Sequence, residues 1–409
     1  MSAFGQLYLT LAWRNIWRNK RRTFITMGSV VFAVVLAVLL NSVKEGMLFK
    51  MQENAVTFYT GAIQVHRSGF WEEKTLENTF VVNDTLLQQI LKHPNVEQAT
   101  NRMETFALAA SQKYTKGCML VGIQPQKELA ITRLNEKMAD GEYLLPDDKM
   151  VLLSTGLADY LKLKTGDTLV LIGQGYRGVS AAGKYPIKGL IKLASPELNK
   201  RMVYLPIKLS QDLLGAEGRS TAMVLKLENI NQATSVAHDL STKLPGYEVM
   251  GWKKLLPELN QMIEGERAEN VIFLGILYLL ISFGIFGTIL MMLMERQFEF
   301  GVLVAVGMRK LKLSTVIVME NIFISVLGAL LGTLLSIPVI LYFYKYPIQV
   351  TGALKETYEN FGFEPVFYFS IEPWIFYSQM MVVACIALVL SLYPLFSLLR
   401  LDPVTAMRK

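Results

Sequence analysis

Four long stretches with almost no charged residues limit what this chain can fold into. They cover residues 23–43, 270–294, 313–344 and 373–399, and Glu320 is the only charged residue inside any of them. A helix needs about 20 apolar residues to cross the hydrocarbon core of a bilayer. The sequence therefore predicts four transmembrane helices, and the stretch 44–269 between the first two is long enough to form a sizeable domain.

The basic residues determine how the four spans are oriented. Lysines and arginines cluster at 14–22, 296–312 and 400–409, whereas the connection 345–372 is predominantly acidic. Loops on the cytoplasmic side of a membrane are enriched in lysine and arginine. We therefore place both termini and the second connection in the cytoplasm. The same placement accounts for the net charge of +7, so we expect no nucleic-acid partner.

The predicted segments follow from these two patterns. In chain order they are a cytoplasmic interfacial amphipathic helix (1–22), the first transmembrane helix (23–43), an extracytoplasmic α/β domain with stalk helices (44–269), the second transmembrane helix (270–294), a cytoplasmic coupling helix (295–312), the third transmembrane helix (313–344), an extracytoplasmic loop (345–372), the fourth transmembrane helix (373–399) and a cytoplasmic tail (400–409). The predicted fold class is a membrane α-helical protein with four transmembrane helices and a large mixed α/β extracytoplasmic domain between the first and second spans.

Period-2 apolar patterns and turn residues define the elements of the external domain. Strands are predicted at 61–66, 104–110, 119–123, 150–153, 168–172, 185–193, 202–205 and 222–227, and helices at 84–92, 155–163, 207–214 and 232–244. Asp84 is the predicted N-cap of the first of these helices. The patterns at 43–58 and 255–270 are helical and extend the first two spans as a stalk. The domain size is compatible with one subdomain or with two.

The stretch 294–320 carries mixed charge, small residues and an apolar helical face. Phe298, Val302, Leu303 and Val306 recur at helical spacing. This pattern between two spans fits a short helix that docks to another protein. It fits equally a loop that only turns the chain. Glu320 lies inside the third span, where a carboxylate is costly. We expect it to pair with Arg296 or Arg309, and a proton relay is the alternative.

The motif E-R-x-x-E-x-G-V-L-x-A-x-G-M-R at 295–309 resembles the coupling segment of FtsX/MacB-type ABC permeases. The closing residues R-L-D-P-V-T-A-M-R at 400–408 are similar to the end of the same family. The resemblance implies that the segment rests on a dimer of ABC ATPase subunits and that a second permease subunit, identical or paralogous, completes the assembly. The ATPase-coupling residues are then Glu295, Arg296, Glu299, Gly301, Ala305, Gly307, Arg309 and Glu320.

The sequence offers no complete nucleotide or metal motif. The stretch G-V-S-A-A-G-K-Y at 178–185 approaches a phosphate-binding loop, but Tyr185 stands where the magnesium-binding Ser or Thr belongs. We interpret it as the glycine-rich tip of a hairpin. The three histidines lack the spacing of metal ligands. We therefore predict no cofactor and no enzyme activity in this chain, with ATP and Mg²⁺ bound by the partner ATPase.

Two further stretches, V-G-I-Q-P-Q-K-E at 121–128 and residues 140–169, resemble lipoprotein-releasing permeases of the LolC/LolE type. This resemblance implies a multi-pass protein of the bacterial inner membrane, with its large domain in the periplasm. It also implies lipid-anchored cargo, extracted toward the outer membrane, and a periplasmic carrier or adaptor. The hairpin at 173–184, with Gly173, Tyr176, Arg177 and Lys184, occupies the place where one subunit type binds its carrier.

Lipid-anchored cargo requires an apolar surface at the level of the outer leaflet. The stalk residues expected to form such a cargo cleft are Met47, Phe49, Met51, Met262, Ile263, Ile272 and Phe273. Two other functions fit the same architecture. One is a MacB-like efflux or antimicrobial-peptide pump that works with an adaptor, and the other is a mechanotransmitter that moves no substrate and activates an external hydrolase.

Overall fold

The structure, a computed structural model, describes residues 13–14, 16–18, 20–193, 195–353, 355, 358, 365–400, 402 and 406. Most of the predicted interfacial helix, part of the predicted loop 345–372 and most of the predicted tail lie outside the described residues. The chain divides into two units. The helical unit comprises the described residues within Met1–Leu48, Ile263–Gln349 and Val366–Lys409, and the α/β unit those within Phe49–Met262 and Val350–Pro365.

The described helices include both long membrane-type helices and short connecting ones. In chain order they are α1 (Lys20–Ala55), α2 (Phe70–Glu73), α3 (Asp84–Leu91), α4 (Pro125–Thr132), α5 (Thr155–Leu161), α6 (Pro196–Asn199), α7 (Ile207–Leu214), α8 (Ala233–Lys243), α9 (Trp252–Leu255), α10 (Pro257–Glu295), α11 (Gln297–Ala305), α12 (Lys310–Lys345), α13 (Pro373–Leu390) and α14 (Leu392–Leu399).

The described strands fall almost entirely in the α/β unit. They are β1 (Ile63–Arg67), β2 (Phe80–Val81), β3 (Val96–Ala110), β4 (Thr115–Ile123), β5 (Met138–Gly141), β6 (Val151–Ser154), β7 (Thr168–Gln174), β8 (Ser180–Ile191), β9 (Met202–Pro206), β10 (Arg219–Ser220), β11 (Ala222–Leu227), β12 (Tyr247–Gly251), β13 (Ile348–Gln349) and β14 (Val366–Phe367). Every strand and helix that the sequence predicts in this domain overlaps an observed one, whereas β2, β5, β10, β12, α2, α4 and α6 were not predicted.

Four helical stretches are long and apolar enough to cross a membrane. They are Thr23–Ala55, Pro257–Glu295, Lys310–Lys345 and Pro373–Leu399, the last formed by α13 and α14. The mixed α/β unit lies between the first and the second in the chain. The predicted fold class is thereby confirmed. The first two helices are longer than a bilayer requires, because α1 and α10 continue through the stretches predicted as stalk.

Close packing joins α1 and α12 inside the helical unit. A Cβ atom added to Gly328 would lie 3.0 Å from Cβ of Val30, and one added to Gly332 would lie 2.9 Å from Cβ of Val34. Glycine at these two positions lets the helix backbones approach more closely than any larger residue would. Gly328 and Gly332 form a G-x-x-x-G pattern in the third span, and in this structure the pattern serves helix packing.

Six strands of the α/β unit close into a ring. The pairings run β3–β4–β9–β6–β8–β7 and return to β3, with β4–β9 and β6–β8 parallel and the other pairs antiparallel. Each strand contributes a buried residue to one apolar cluster: Met103, Leu120, Val203, Leu153, Ile187 and Leu171. The alternate residues Val121, Tyr204 and Leu152 belong to a second cluster, together with Ile191, which follows the register shift in β8. The period-2 pattern thus buries both faces of this part of the ring.

Strand β3 belongs to two sheets. Its first half pairs with β11, which continues through β1 to β12, and its second half belongs to the ring. The change occurs between Arg102, opposite Ala222 of β11, and Met103, opposite Gly122 of β4. A fifteen-residue strand is long for a globular domain, and here the length serves to connect the two sheets.

The N-cap of α3 is Asn83, and the prediction of Asp84 is wrong. Asn83 has an extended backbone, and its side chain accepts a hydrogen bond from the Leu86 amide at 2.8 Å. A cap residue lies just outside the helical backbone conformation, whereas Asp84 is already the first helical residue. Its carboxylate still lies at the positive end of the helix dipole.

Helix α1 ends in a π-turn, Val56–Thr60, and Gly61 ends that turn with φ +69° and ψ 176°. This backbone region is accessible essentially only to glycine. A Cβ atom on Gly61 would also lie 2.2 Å from Cγ1 of Val224. Gly61 is therefore required both by the backbone and by the neighbouring strand.

Replacing Gly61 with alanine is expected to destabilise the protein by about 2–4 kcal/mol, because backbone strain and overpacking add. Gly218→Ala is the matched control, since Gly218 has φ +69° and open space around it. Strain alone predicts a loss of about 1–2 kcal/mol there. Thermal unfolding of the two purified variants measures the difference, and equal losses would contradict the role of Val224.

Candidate functional site

The residues that resemble a coupling segment form an elbow between two long helices. Helix α10 ends at Glu295, the nine-residue α11 follows, and α12 begins at Lys310. Gly307 has φ +104°, and Arg309 has an extended backbone just before α12. A positive φ at this value favours glycine, so Gly307 is the point at which the chain can reverse out of α11.

A chain of ionic contacts fixes the elbow within the helical unit. Nη1 of Arg296 donates to Oε2 of Glu320 at 3.1 Å, and Nε of the same guanidinium donates to Oε2 of Glu299 at 3.1 Å. Nη2 of Arg18 donates to the same Glu299 oxygen at 2.5 Å. The elbow therefore connects the N-terminal segment, α11 and α12 through four charged side chains. The predicted pairing of Glu320 with Arg296 is confirmed.

The two ends of this ionic chain differ in burial. Glu320 is 0 % exposed and Arg296 is 8 % exposed, whereas the side chains of Arg18 and Glu299 are about half exposed. Partial burial acts to raise the pKa of Glu299, but hydrogen bonds from Arg18 and Arg296 hold that pKa below its usual value. Glu299 is therefore ionised at neutral pH, and both arginines have a carboxylate to bind.

The predicted coupling residues separate into buried and exposed groups. Arg296, Gly301 and Glu320 are buried, whereas Glu295, Glu299, Ala305, Gly307 and Arg309 are exposed. Large apolar side chains lie exposed on the same segment: Phe298, Leu303 and Val306, the last at 83 %. The exposed group and these apolar side chains form the surface available to a partner, which we call the elbow surface. Gly301 is buried and is not part of this surface.

The predicted cargo residues are distributed over both units. In the helical unit, Ile272 and Phe273 are exposed, Met47 is partly buried, and Ile263 is only 3 % exposed. In the α/β unit, Phe49 and Met262 are exposed and Met51 is partly buried. Ile263 is therefore a poor position for contact with cargo, whereas Ile272 and Phe273 belong to an exposed apolar part of α10.

The predicted partner hairpin is formed by β7 and β8. Gly173 and Lys184 lie in the strands, opposite Ala181 and Val170, and the turn between the strands is only five residues long, 175–179. Tyr176 is partly buried, and the guanidinium of Arg219 lies 4.5 Å from its ring centroid. Arg177 is exposed with φ +54°, and its amide donates to Glu77. Residues 180–185 belong to strand β8, where a phosphate-binding loop would lead into a helix.

Sequence reasoning missed a buried charged cluster in the α/β unit. Arg102 and Glu128 are both 0 % exposed, with Nη2 to Oε1 at 2.5 Å and Nε to Oε2 at 3.2 Å. Glu104 lies 3.3 Å from the same guanidinium. Burial lowers the pKa of nearby Lys137 to about 8, with Glu128 acting in the opposite direction. Arg102 and Glu104 alternate along β3 like residues of a solvated strand face, which is why the pattern gave no signal.

The described residues contain no group of three or more His, Cys, Asp or Glu side chains that could hold a metal ion. The buried cluster is therefore an ion-pair network. One polar atom beside it, the hydroxyl of Tyr204, is buried without a hydrogen-bond partner.

Two family models match the chain. The FtsX-like permease C-terminal model matches residues 271–403, which include the elbow, and the MacB-like periplasmic core domain model matches residues 23–243. The second match alone spans more than half of the chain. The chain belongs to the FtsX/MacB-type ABC transporter permeases. It is a multi-pass membrane protein with a MacB-like periplasmic domain, and its family implies an ATPase partner.

Two solved structures are similar to part of this permease. The periplasmic region of MacB from Actinobacillus actinomycetemcomitans is 14% identical over 53% of this chain and 98% of its own, with a TM-score of 0.36. The extracellular domain of the ABC-type transporter YknZ from Gram-positive bacteria is 16% identical over 46% of this chain and 99% of its own, with a TM-score of 0.33. A search of curated protein sequences returned no match. The family assignment rests on the two family models.

Proposed function

We propose that this permease couples ATP hydrolysis by a separate ATPase dimer to the extraction of lipid-anchored proteins from the outer leaflet of the bacterial inner membrane. ATP and Mg²⁺ bind to the ATPase, and this chain holds no cofactor. A second permease subunit completes the membrane part, and a periplasmic carrier receives the cargo. The resemblance of 121–128 and 140–169 to lipoprotein-releasing permeases is the reason for choosing this cargo.

The observation that supports this function best is the exposed apolar face at the start of the membrane part of α10. Val271, Ile272, Phe273 and Ile276 are each more than half exposed. Burying an acyl chain on such a surface contributes about 0.8 kcal/mol per CH₂ group. An apolar face at the outer leaflet can therefore compete with the bilayer for a lipid anchor.

A series of polar contacts between α1 and α10 supports a proposed position for the cargo on the exposed side of α10. Nδ2 of Asn270 donates to Oδ1 of Asn41 at 3.0 Å, Lys44 pairs with Glu266, and Arg267 lies 3.7 Å from Glu45. These contacts hold the two helices together at the depth where the anchor would enter. We therefore place the acyl chains on the exposed face of α10 and not between the two helices of one chain.

A photo-crosslinking amino acid at Ile272 is expected to capture a lipidated protein and not the same protein without its acyl chains. Met294 is the matched control, because it lies on the same helix, is 77 % exposed, and belongs to the cytoplasmic end. Crosslinked products are identified by mass spectrometry in intact membranes.

Capture from Ile272 but not from Met294, dependent on the acyl chains, supports the proposed function. Equal capture of both protein forms would reject lipid-anchored cargo. No capture at Ile272, together with a crosslink from Arg177 to an adaptor or a hydrolase, would favour an efflux pump or a mechanotransmitter.

A further inference from the structure

The last carbonyls of α1 are bound by side chains from other elements of the α/β unit. A helix leaves its final carbonyl groups without partners inside the helix. Within the π-turn that follows α1, the Val56 carbonyl accepts from the Gly61 amide at 2.9 Å. The other donors are Arg102 Nη1 to the Tyr59 carbonyl (2.5 Å), Lys137 Nζ to the Thr57 carbonyl (3.3 Å) and Gln64 Nε2 to the Thr60 carbonyl (2.8 Å).

Arg102 is the central member of these contacts. It is fully buried, and its guanidinium centre lies 5.3 Å from the centroid of the Tyr59 ring, in addition to the bond to the Tyr59 carbonyl. Both oxygens of Glu128 accept from the same guanidinium, and Oγ1 of Thr132 donates to Oε1 of Glu128 at 2.9 Å. The planar, bidentate geometry fixes the direction in which Arg102 points.

A need for stability does not explain why charges are buried here. Replacing a buried ion pair with apolar residues of similar volume is often neutral or stabilising, because desolvation offsets the attraction between the charges. What an ion pair supplies in this setting is a defined geometry. Arg102 is also the residue at which β3 passes from the open sheet into the ring. Its bond to the Tyr59 carbonyl therefore attaches the helix end to a strand that belongs to both sheets.

We propose that Arg102, oriented by Glu128, is a positioning residue that fixes the end of α1 to β3, so that displacement of α1 is delivered to both sheets of the α/β unit. This inference rests on the proposed function, in which ATP-driven movement reaches the external domain through its helices. Lys137 is a second, weaker attachment, because its ammonium group lies farther from the carbonyl that it binds.

The test uses the full-length permease reconstituted with its ATPase, with Arg102→Met and Glu128→Gln combined. The double variant removes one positive and one negative charge, so the net charge of the buried cluster, which also includes Glu104 and Lys137, is unchanged. It also keeps an acceptor for Thr132. The matched control is Lys188→Met with Asp148→Asn, which removes an ion pair of 2.6 Å elsewhere in the α/β unit.

The double variant is expected to lose cargo-stimulated ATP hydrolysis while keeping basal hydrolysis, and the control pair is expected to keep both. The amide hydrogens of Gly61 and Ala62 should exchange roughly tenfold faster or more in the double variant, because the helix end is released locally. Stimulation at the wild-type level in the double variant would overturn the proposal.

Hydrogen exchange of the wild-type protein provides a test that needs no variant. A fixed helix end predicts that the Gly61 and Ala62 amides are as protected as those of β4. Fast exchange at these two amides would overturn the proposal even if the double variant did not fold. If lipidated cargo does not stimulate ATP hydrolysis by the wild-type assembly, that result would instead count against the proposed function. The exchange measurement would still test whether Arg102 fixes the end of α1 to β3.

Discussion

Arg296→Met is expected to destabilise the permease by about 3–5 kcal/mol, the usual effect of removing one partner of a buried ion pair. The carboxylate of Glu320 is 0 % exposed and lies inside a candidate membrane span. The substitution leaves that charge without the guanidinium 3.1 Å away. Thermal unfolding of the purified protein in one detergent measures the change.

Two further variants separate the buried pair from the exposed one. Arg296→Met combined with Glu320→Gln should recover most of the lost stability, because the buried charge is then removed as well. Arg18→Met breaks the exposed pair with Glu299, and exposed pairs contribute at most about 1 kcal/mol. Similar losses for Arg18→Met and Arg296→Met would show that burial is not what makes the second pair important.

Val306→Asp is expected to weaken ATPase binding about 30-fold or more, which corresponds to about 2 kcal/mol for a central apolar contact. Val306 is 83 % exposed on the elbow surface, so the folded permease should tolerate the aspartate. Binding of the ATPase to the reconstituted permease measures the effect, and cargo-stimulated hydrolysis should fall with it. Val81→Asp, the same substitution at a position 56 % exposed in the α/β unit, is the matched control.

Val306 suits this test because it is exposed, whereas other residues of the elbow are buried. Gly301 is buried, so a large residue there would disturb the fold, whereas Val306, Ala305 and Leu303 are exposed and can be replaced without disturbing it. Unchanged ATPase binding by Val306→Asp, with normal binding by the control, would place the docking surface elsewhere on the cytoplasmic side.

Local pattern and composition were sufficient to predict the four apolar stretches and most of the longer elements of the α/β unit. Strands such as β4 and β9 have apolar residues on both faces, so each gives a strong signal by itself. Ring closure was not predictable, because the β3–β7 contact joins residues about 60 positions apart through only three paired positions. Strand β5 was missed because most of its residues are exposed, which leaves no apolar alternation to detect.

At the candidate sites, the sequence was a better guide to ion pairing within the helical unit than to the burial of individual residues. Charge and helical distance left Arg296 and Arg309 as partners for Glu320, and the structure shows Arg296. The burial of Gly301 and Ile263 depends on side chains that come from distant parts of the chain, so no local pattern indicates it. The Arg102–Glu128 pair was missed for the same reason, since residues 26 positions apart become neighbours only when α4 packs on β3.

Ring closure has a mechanical consequence under the proposed function, in which helix movement loads this domain. An open sheet has edge strands, and shear can peel these away one after another. Strand β3 is paired with β4 on one side and β7 on the other, so a load applied along it is shared by two ladders at once. No strand of the ring can detach without breaking hydrogen bonds along both of its edges, so under the proposed function the domain would resist repeated pulling.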